Sequence, residues 1–121
     1  LQAEKLEEYW LQSNRDYYGQ ALTVDKELAS EWSRIPHFYT PFYVYKYATG
    51  YSAATAFASS ILSGEAGAVG KYLGFLHAGG SDYSLNILKN AGVDLNTPQP
   101  VTVTLQKFAA KLKELKALLG K

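Results

Sequence analysis

The fold turns on how "IPHFYTPFYVYKYATGYSAATAFASS", residues 35–60, is read. Five of the chain's ten tyrosines (Tyr39, Tyr43, Tyr45, Tyr47 and Tyr51) fall here, beside His37, one of only two histidines. A run dominated by Ala, Ser and Thr follows. Pro36 biases Ile35 towards extended backbone, so His37 to Thr40 is expected as a connector. Thr40-Pro41 has the form of a helix opening: a hydroxyl at the N-cap, then proline where its missing donor is harmless. The expectation is one helix from Pro41 to about Leu62, interrupted by Gly50 and carrying a single charge, Lys46. So apolar a helix should be central and nearly surrounded.

Working outward, the rest of the chain also reads as helix. Leu6, Tyr9, Trp10 and Leu11 recur near helical spacing in a segment from Leu1 to Tyr18, and Gly19 punctuates it. A second helix is expected after Thr23, through Leu28 and Trp32. Beyond Gly64, residues 65–78 form a short helix ended by Gly79-Gly80. Ser81 is the expected cap of the next, which stops at Gly92. After "VDLNTPQP" the last helix begins near Pro100, with Leu105, Phe108, Leu112, Leu115 and Leu119 on one stripe. Although "VTVT" (101–104) alternates like a strand, nothing nearby offers a partner, so it reads as the first helical turn. The class is all-α, about six helices. With neither repeat nor flexible linker, residues 1–121 read as one unit.

Composition excludes several functions. With 121 residues and 47% hydrophobic content, the chain is long enough for one core and too apolar for disorder. A formal charge of +1 argues against nucleic acid as a partner. The lysines near the end (Lys107, Lys111, Lys113, Lys116 and Lys121, against Glu114) read as a solvated helix face. No run of eighteen apolar residues suggests a membrane span. The absence of cysteine removes disulfides and thiolate metal sites, and fits a reducing, cytoplasmic compartment. Leu1 comes first and methionine is absent, so a processed chain or a piece of a longer one is expected.

Metal chemistry needs about three converging ligands. His37 and His77 are the only histidines, and H-E-x-x-H does not occur. No G-x-S-x-G appears, and the glycines fit neither a phosphate loop nor a dinucleotide fingerprint. Gly79-Gly80 reads either as a chain reversal or as a turn whose backbone donors could hold a peptide. The tyrosines have two readings as well. Any one of them could be core with its hydroxyl satisfied. Five hydroxyls are costly to bury, however, and phenylalanine would serve packing alone. Hydroxylated rings beside a histidine suit the wall of a polar cleft, and both side chains can donate a hydrogen bond to an oxygen gaining negative charge. In peptide hydrolysis one such preorganised donor is worth roughly 2.7–4 kcal/mol. On a helix, Phe42 and Tyr45 would face one way and Tyr43, Tyr47 and Tyr51 another.

"EWSRIPHFYTPFYVYKYATGYSAA" (31–54) resembles the C-terminal catalytic region of the oligoendopeptidase F family, a branch of the thimet-oligopeptidase-like zinc metallopeptidases. "LEEYWLQSNRDYYGQ" (6–20) and "FLHAGGSDYSLNILKNAGVDLNTPQPV" (75–101) extend the resemblance over nearly the whole chain. It implies a mostly helical peptidase whose channel admits oligopeptides. Its zinc is held by H-E-x-x-H and a later glutamate, all outside this sequence, so the metal ligands contributed here are none. His37 matches the histidine that opens the family motif. Tyr45 matches the tyrosine that stabilises the tetrahedral oxyanion, and Tyr43 is the alternative in that role. Tyr39 ranks behind both and counts as substrate-binding, together with the glycine pair Gly79 and Gly80. The implied partners are an oligopeptide and the remainder of the catalytic domain, and the chain alone is expected to be inactive. Two other readings stand beside this one: a helical binding module with a Tyr-lined groove for a peptide or sugar, and a structural fragment that self-associates.

Overall fold

The computed structural model describes residues 2–120. Among them there is no strand, and the fold is all-α. Five α-helices span Ala3–Tyr18 (α1), Lys46–Leu62 (α2), Ala68–Ala78 (α3), Ser84–Asn90 (α4) and Gln99–Leu118 (α5). Two 3₁₀ segments, Lys26–Arg34 and Pro36–Tyr39, lie between α1 and α2. The chain divides into two compact units, with the boundary between Val44 and Tyr45.

In the first unit α1 packs on the Lys26–Arg34 segment. Leu6, Trp10, Leu11 and Asn14 form its half-buried face. Gly19, at φ 67°, ends the helix, its N–H donating to the Arg15 carbonyl at 2.9 Å. The segment expected as an α-helix capped by Thr23 is instead 3₁₀ and starts at Lys26, after Asp25. Its side-chain links run at three-residue spacing, the period of the tighter helix. Ser33 Oγ donates to the Ser30 carbonyl at 2.7 Å, and Arg34 pairs with Glu31. The expected connector at 37–40 tightens into a 3₁₀ turn opened by Pro36. No described residue of this unit is fully buried.

The expected helix start at Pro41 is wrong by five residues, since α2 begins at Lys46. Phe42 has φ 58°, outside any right-handed helix. Proline followed by a left-handed residue is the pattern of a type II turn, which normally takes glycine or asparagine at its third position. Phenylalanine hides that signal. Thr40-Pro41 therefore opens a turn, and Phe42 and Tyr43 leave the helical wheel that relates Tyr45, Tyr47 and Tyr51.

In the second unit α2 packs against α3 and α5, and α3 against α4. Phe57, Ala53 and Ala56 on α2 meet Ala91 and Val93, with Tyr72, Phe75 and Leu88 packed around them. The Phe57 ring lies 5.3 Å from that of Tyr72 and 5.2 Å from that of Phe75, centroid to centroid. Gly64 and Gly67 take positive φ, so α3 starts at Ala68 rather than 65. Ser81 does not cap α4: the Asp82 carboxylate accepts from Tyr83 N–H at 2.6 Å and from Asn86 Nδ2 at 3.1 Å. "VTVT" is helical. Thr102 and Thr104 donate their hydroxyls to the Pro98 and Pro100 carbonyls, each at 3.0 Å, which seats β-branched threonines in a first turn.

The expectation that α2 is surrounded fails. Ser52, Ala53, Ala56 and Phe57 are buried on one side, while Tyr47, Tyr51, Ala54, Ala58 and Leu62 are exposed on the other. Two separate compact bodies of these sizes would together expose roughly 7,700 Å². The chain exposes 9659 Å².

Candidate functional site

The residues singled out by sequence fall in both units: His37, Tyr39 and Tyr43 in the first, Tyr45, Gly79 and Gly80 in the second. In the first, Pro36 starts the turn that carries His37, and the Trp10 ring meets Phe38 edge-on at 5.5 Å, which holds that turn to α1. The His37 imidazole lies 5.2 Å from the Tyr43 ring, tilted by 39°. The left-handed backbone at Phe42 directs the chain into Tyr43 and leaves the Phe42 ring itself 84% exposed. Tyr39 is differently engaged. Its hydroxyl donates to the Ser33 carbonyl at 2.7 Å. A phenol has one proton, so in this state Tyr39 can accept a hydrogen bond but not donate a second one.

In the second unit a groove of about 1260 Å³ brings together three of the residues singled out by sequence, Tyr45, Gly79 and Gly80. Tyr45 sits immediately before α2 with helical backbone angles and is half exposed. Its position at a helix start gives the ring a rigid base. Gly79, at φ 51°, terminates α3 and turns the chain across the groove, and Ser81 N–H returns to the Ala78 carbonyl at 3.0 Å. The left-handed turn requires glycine at 79. At Gly80 the situation differs: φ is unexceptional, and an added Cβ would meet nothing within 4 Å. The chain reversal thus accounts for one glycine of the pair and leaves the other open to a role at the groove. Phe57, Tyr72 and Phe75 line the same groove and give it an apolar, aromatic wall.

The two charged residues lining the groove, Lys46 and Asp82, were not among the site residues read from sequence. Lys46 was visible only as the lone charge of α2. Asp82 was hidden behind the expected Ser81 cap, and its carboxylate is occupied by Tyr83 N–H and Asn86. The second histidine plays no part here. His77 Nδ1 is hydrogen-bonded to the Leu73 carbonyl of its own helix at 2.8 Å.

Among the described residues, no three of His, Asp and Glu cluster so as to hold a metal ion. The chain's own side chains therefore do not fit a catalytic zinc, which needs about three protein ligands converging on it. No described helix is long and apolar enough to cross a membrane. The second unit offers the Tyr45 phenol at the rim of an open groove with an aromatic wall. It can hold an extended ligand and stabilise negative charge on an oxygen.

Residues 1–107 match the family model of peptidase family M3. Oligopeptidase PepF of Bacillus subtilis (strain 168) is 47% identical over 121 residues, which are all of this chain and 18% of the relative. The plasmid oligoendopeptidase F of Lactococcus lactis subsp. cremoris is 39% identical over the same length, 20% of that protein. The crystal structure of oligoendopeptidase-F from Enterococcus faecium superposes with a TM-score of 0.92 at 43% identity, covering 97% of this chain and 22% of that one. The chain thus spans about a fifth of the length of the proteins it matches.

Proposed function

Because the chain belongs to peptidase family M3, we propose that it is the C-terminal part of the catalytic domain of an oligoendopeptidase, a zinc-dependent cytoplasmic enzyme that hydrolyses peptide bonds in oligopeptides. Both units belong to that one catalytic domain. The metal and its ligands lie outside this chain, and what this chain adds is the binding and charge-stabilising side. The observation that supports the reading is a groove lined in common by Tyr45, Gly79 and Gly80.

In this reading an oligopeptide lies extended in the groove, with Gly80 allowing close approach of its backbone. As water adds to the scissile carbonyl, its oxygen gains negative charge. Tyr45 donates its hydroxyl proton in a hydrogen bond to that oxygen. His37 and Tyr43, paired ring to ring in the first unit, serve the same substrate, His37 as a binding group and Tyr43 as the second candidate donor. Tyr39 contributes through its ring and its acceptor lone pair.

Within a complete peptidase carrying this segment, Tyr45→Phe removes one donor and little volume. Turnover should fall roughly 10²–10³-fold with KM nearly unchanged. A small loss there, beside a large one for Tyr43→Phe, would transfer the role to Tyr43. The 121-residue chain alone, supplied with zinc and a fluorogenic oligopeptide, should show no turnover. Turnover abolished by a chelator would defeat that expectation.

A further inference from the structure

We propose that Phe42 is a specificity-determining residue whose ring receives an apolar or aromatic side chain of the oligopeptide, an inference that rests on the function proposed above. Among the described residues, left-handed backbone occurs at six glycines and at one residue that has a side chain, Phe42. In that conformation a Cβ crowds the following carbonyl, so glycine fills such a position freely and asparagine at little cost. Phenylalanine has neither advantage. The cost lies in the backbone of residue 42 itself and is present whatever surrounds the ring. Strain of this kind gathers at ligand-binding and active sites, where the strained residue has a use that offsets it.

Packing within the first unit does not supply that use. The Phe42 ring is 84% exposed, whereas Phe38 in the same stretch meets the Trp10 ring edge-on and holds the turn to α1. Nor does the turn need a ring. Pro41 fixes φ at its second position, and glycine at the third would complete it without strain.

The neighbours of Phe42 select the occupant. Tyr43 follows it directly, and the Tyr43 ring lies 5.2 Å from the His37 imidazole. Consecutive Cα atoms are about 3.8 Å apart, so a peptide served by His37 and Tyr43 passes within a side chain's reach of residue 42. Tyr39 and Tyr43 carry hydroxyls and can meet the polar backbone of a peptide. Phe42 has neither donor nor acceptor, and what it takes up best is apolar surface or the edge of another ring. Because Pro41 stiffens the turn, the ring is presented in a fixed direction, and little freedom is lost when a side chain meets it. The substrate feature that fits is a large aliphatic or aromatic residue close to the scissile bond.

The test uses a complete peptidase carrying this segment and paired fluorogenic oligopeptides that differ only in Phe or Ala at one position. That position is moved in turn along both sides of the scissile bond. At one of them the unsubstituted enzyme should favour Phe. There Phe42→Gly should lower kcat/KM for the Phe peptide by at least about fivefold, through KM, and change the Ala peptide by less than about twofold. Phe42→Asn, which suits the left-handed backbone, should lose the preference equally, and Phe42→Leu should keep most of it. Circular dichroism and thermal melting check that each variant is folded. A purely structural ring would not move the Phe-to-Ala ratio. Equal losses on both peptides, as burial of the ring under another part of the enzyme would give, overturn the inference. A ratio indifferent to Phe42→Gly at every position does so too, and leaves the functional reading intact. A ratio that depends on Phe42, in an enzyme whose turnover ignores both Tyr45→Phe and Tyr43→Phe, would overturn the proposed oxyanion roles alone.

Discussion

Phe42 shows how much a single residue decides in this chain. Its φ of 58° ends the run expected from Thr40 and Pro41 and moves Tyr43 off the helix that Tyr45 precedes. Left-handed backbone costs a residue with a Cβ roughly 1–2 kcal/mol, and asparagine tolerates it better than phenylalanine. Since the Phe42 ring is mostly exposed, little packing is lost on replacing it. Phe42→Asn should therefore raise stability by up to about 1 kcal/mol, read as a higher urea midpoint at unchanged slope. A lower midpoint would mean that the exposed ring makes contacts that outweigh the backbone cost. The tyrosine cluster was legible as a group of hydroxyls too numerous to bury. Which hydroxyls are already committed was not, since the Tyr39 bond to the Ser33 carbonyl depends on the 3₁₀ path between them.

At the scale of elements, helix ends marked by glycine were legible, whereas the starts read from Pro41, Gly64 and Ser81 were misplaced. Gly19, Gly79 and Gly92 end helices where expected, each with positive φ. Ser81 does not cap α4 because the helix starts only at Ser84, with Tyr83 at its N-cap, while the Asp82 carboxylate accepts from Tyr83 N–H and the Asn86 amide. The segment after Thr23 is 3₁₀ and starts at Lys26, which the helical spacing of Leu28 and Trp32 did not signal. The glycine pair gives a test at this scale. Gly79→Ala should cost roughly 1–2 kcal/mol from its left-handed backbone. Gly80→Ala should leave stability nearly unchanged, as its Cβ would meet open space. If Gly80→Ala nonetheless raises KM in the complete enzyme, the groove is used by substrate; an unchanged KM would reduce the pair to a chain reversal.

At the scale of the whole molecule, two surface clamps contribute to the response to acid. Glu65 is held below its ordinary value of 4.5 by a hydrogen bond from Ser60, then by hydrogen bonding and attraction from Lys71. Asp94 is held below 3.8 by the Asn96 N–H first, then by the Lys89 side chain. Both carboxylates are easier to ionise folded than unfolded, so their contribution is complete above those ordinary values and is lost as pH falls through the lowered ones. The urea midpoint should decline on that acid limb, and less steeply in Asp94→Asn; an identical decline in the variant would remove Asp94 from the account. By itself the sequence determined the all-α class, which follows from composition, periodicity and local motif that short-range sterics and hydrogen bonding impose, while its resemblance to a peptidase family named the residues worth testing. Only the tertiary structure decided where α2 begins, that it is covered on one side alone, that Tyr45 shares a groove with Gly79 and Gly80, and that the stripe of α5 is bare. Each of these depends on which surfaces meet across long stretches of chain, and the burial of one apolar face against another cannot be read from the spacing of either.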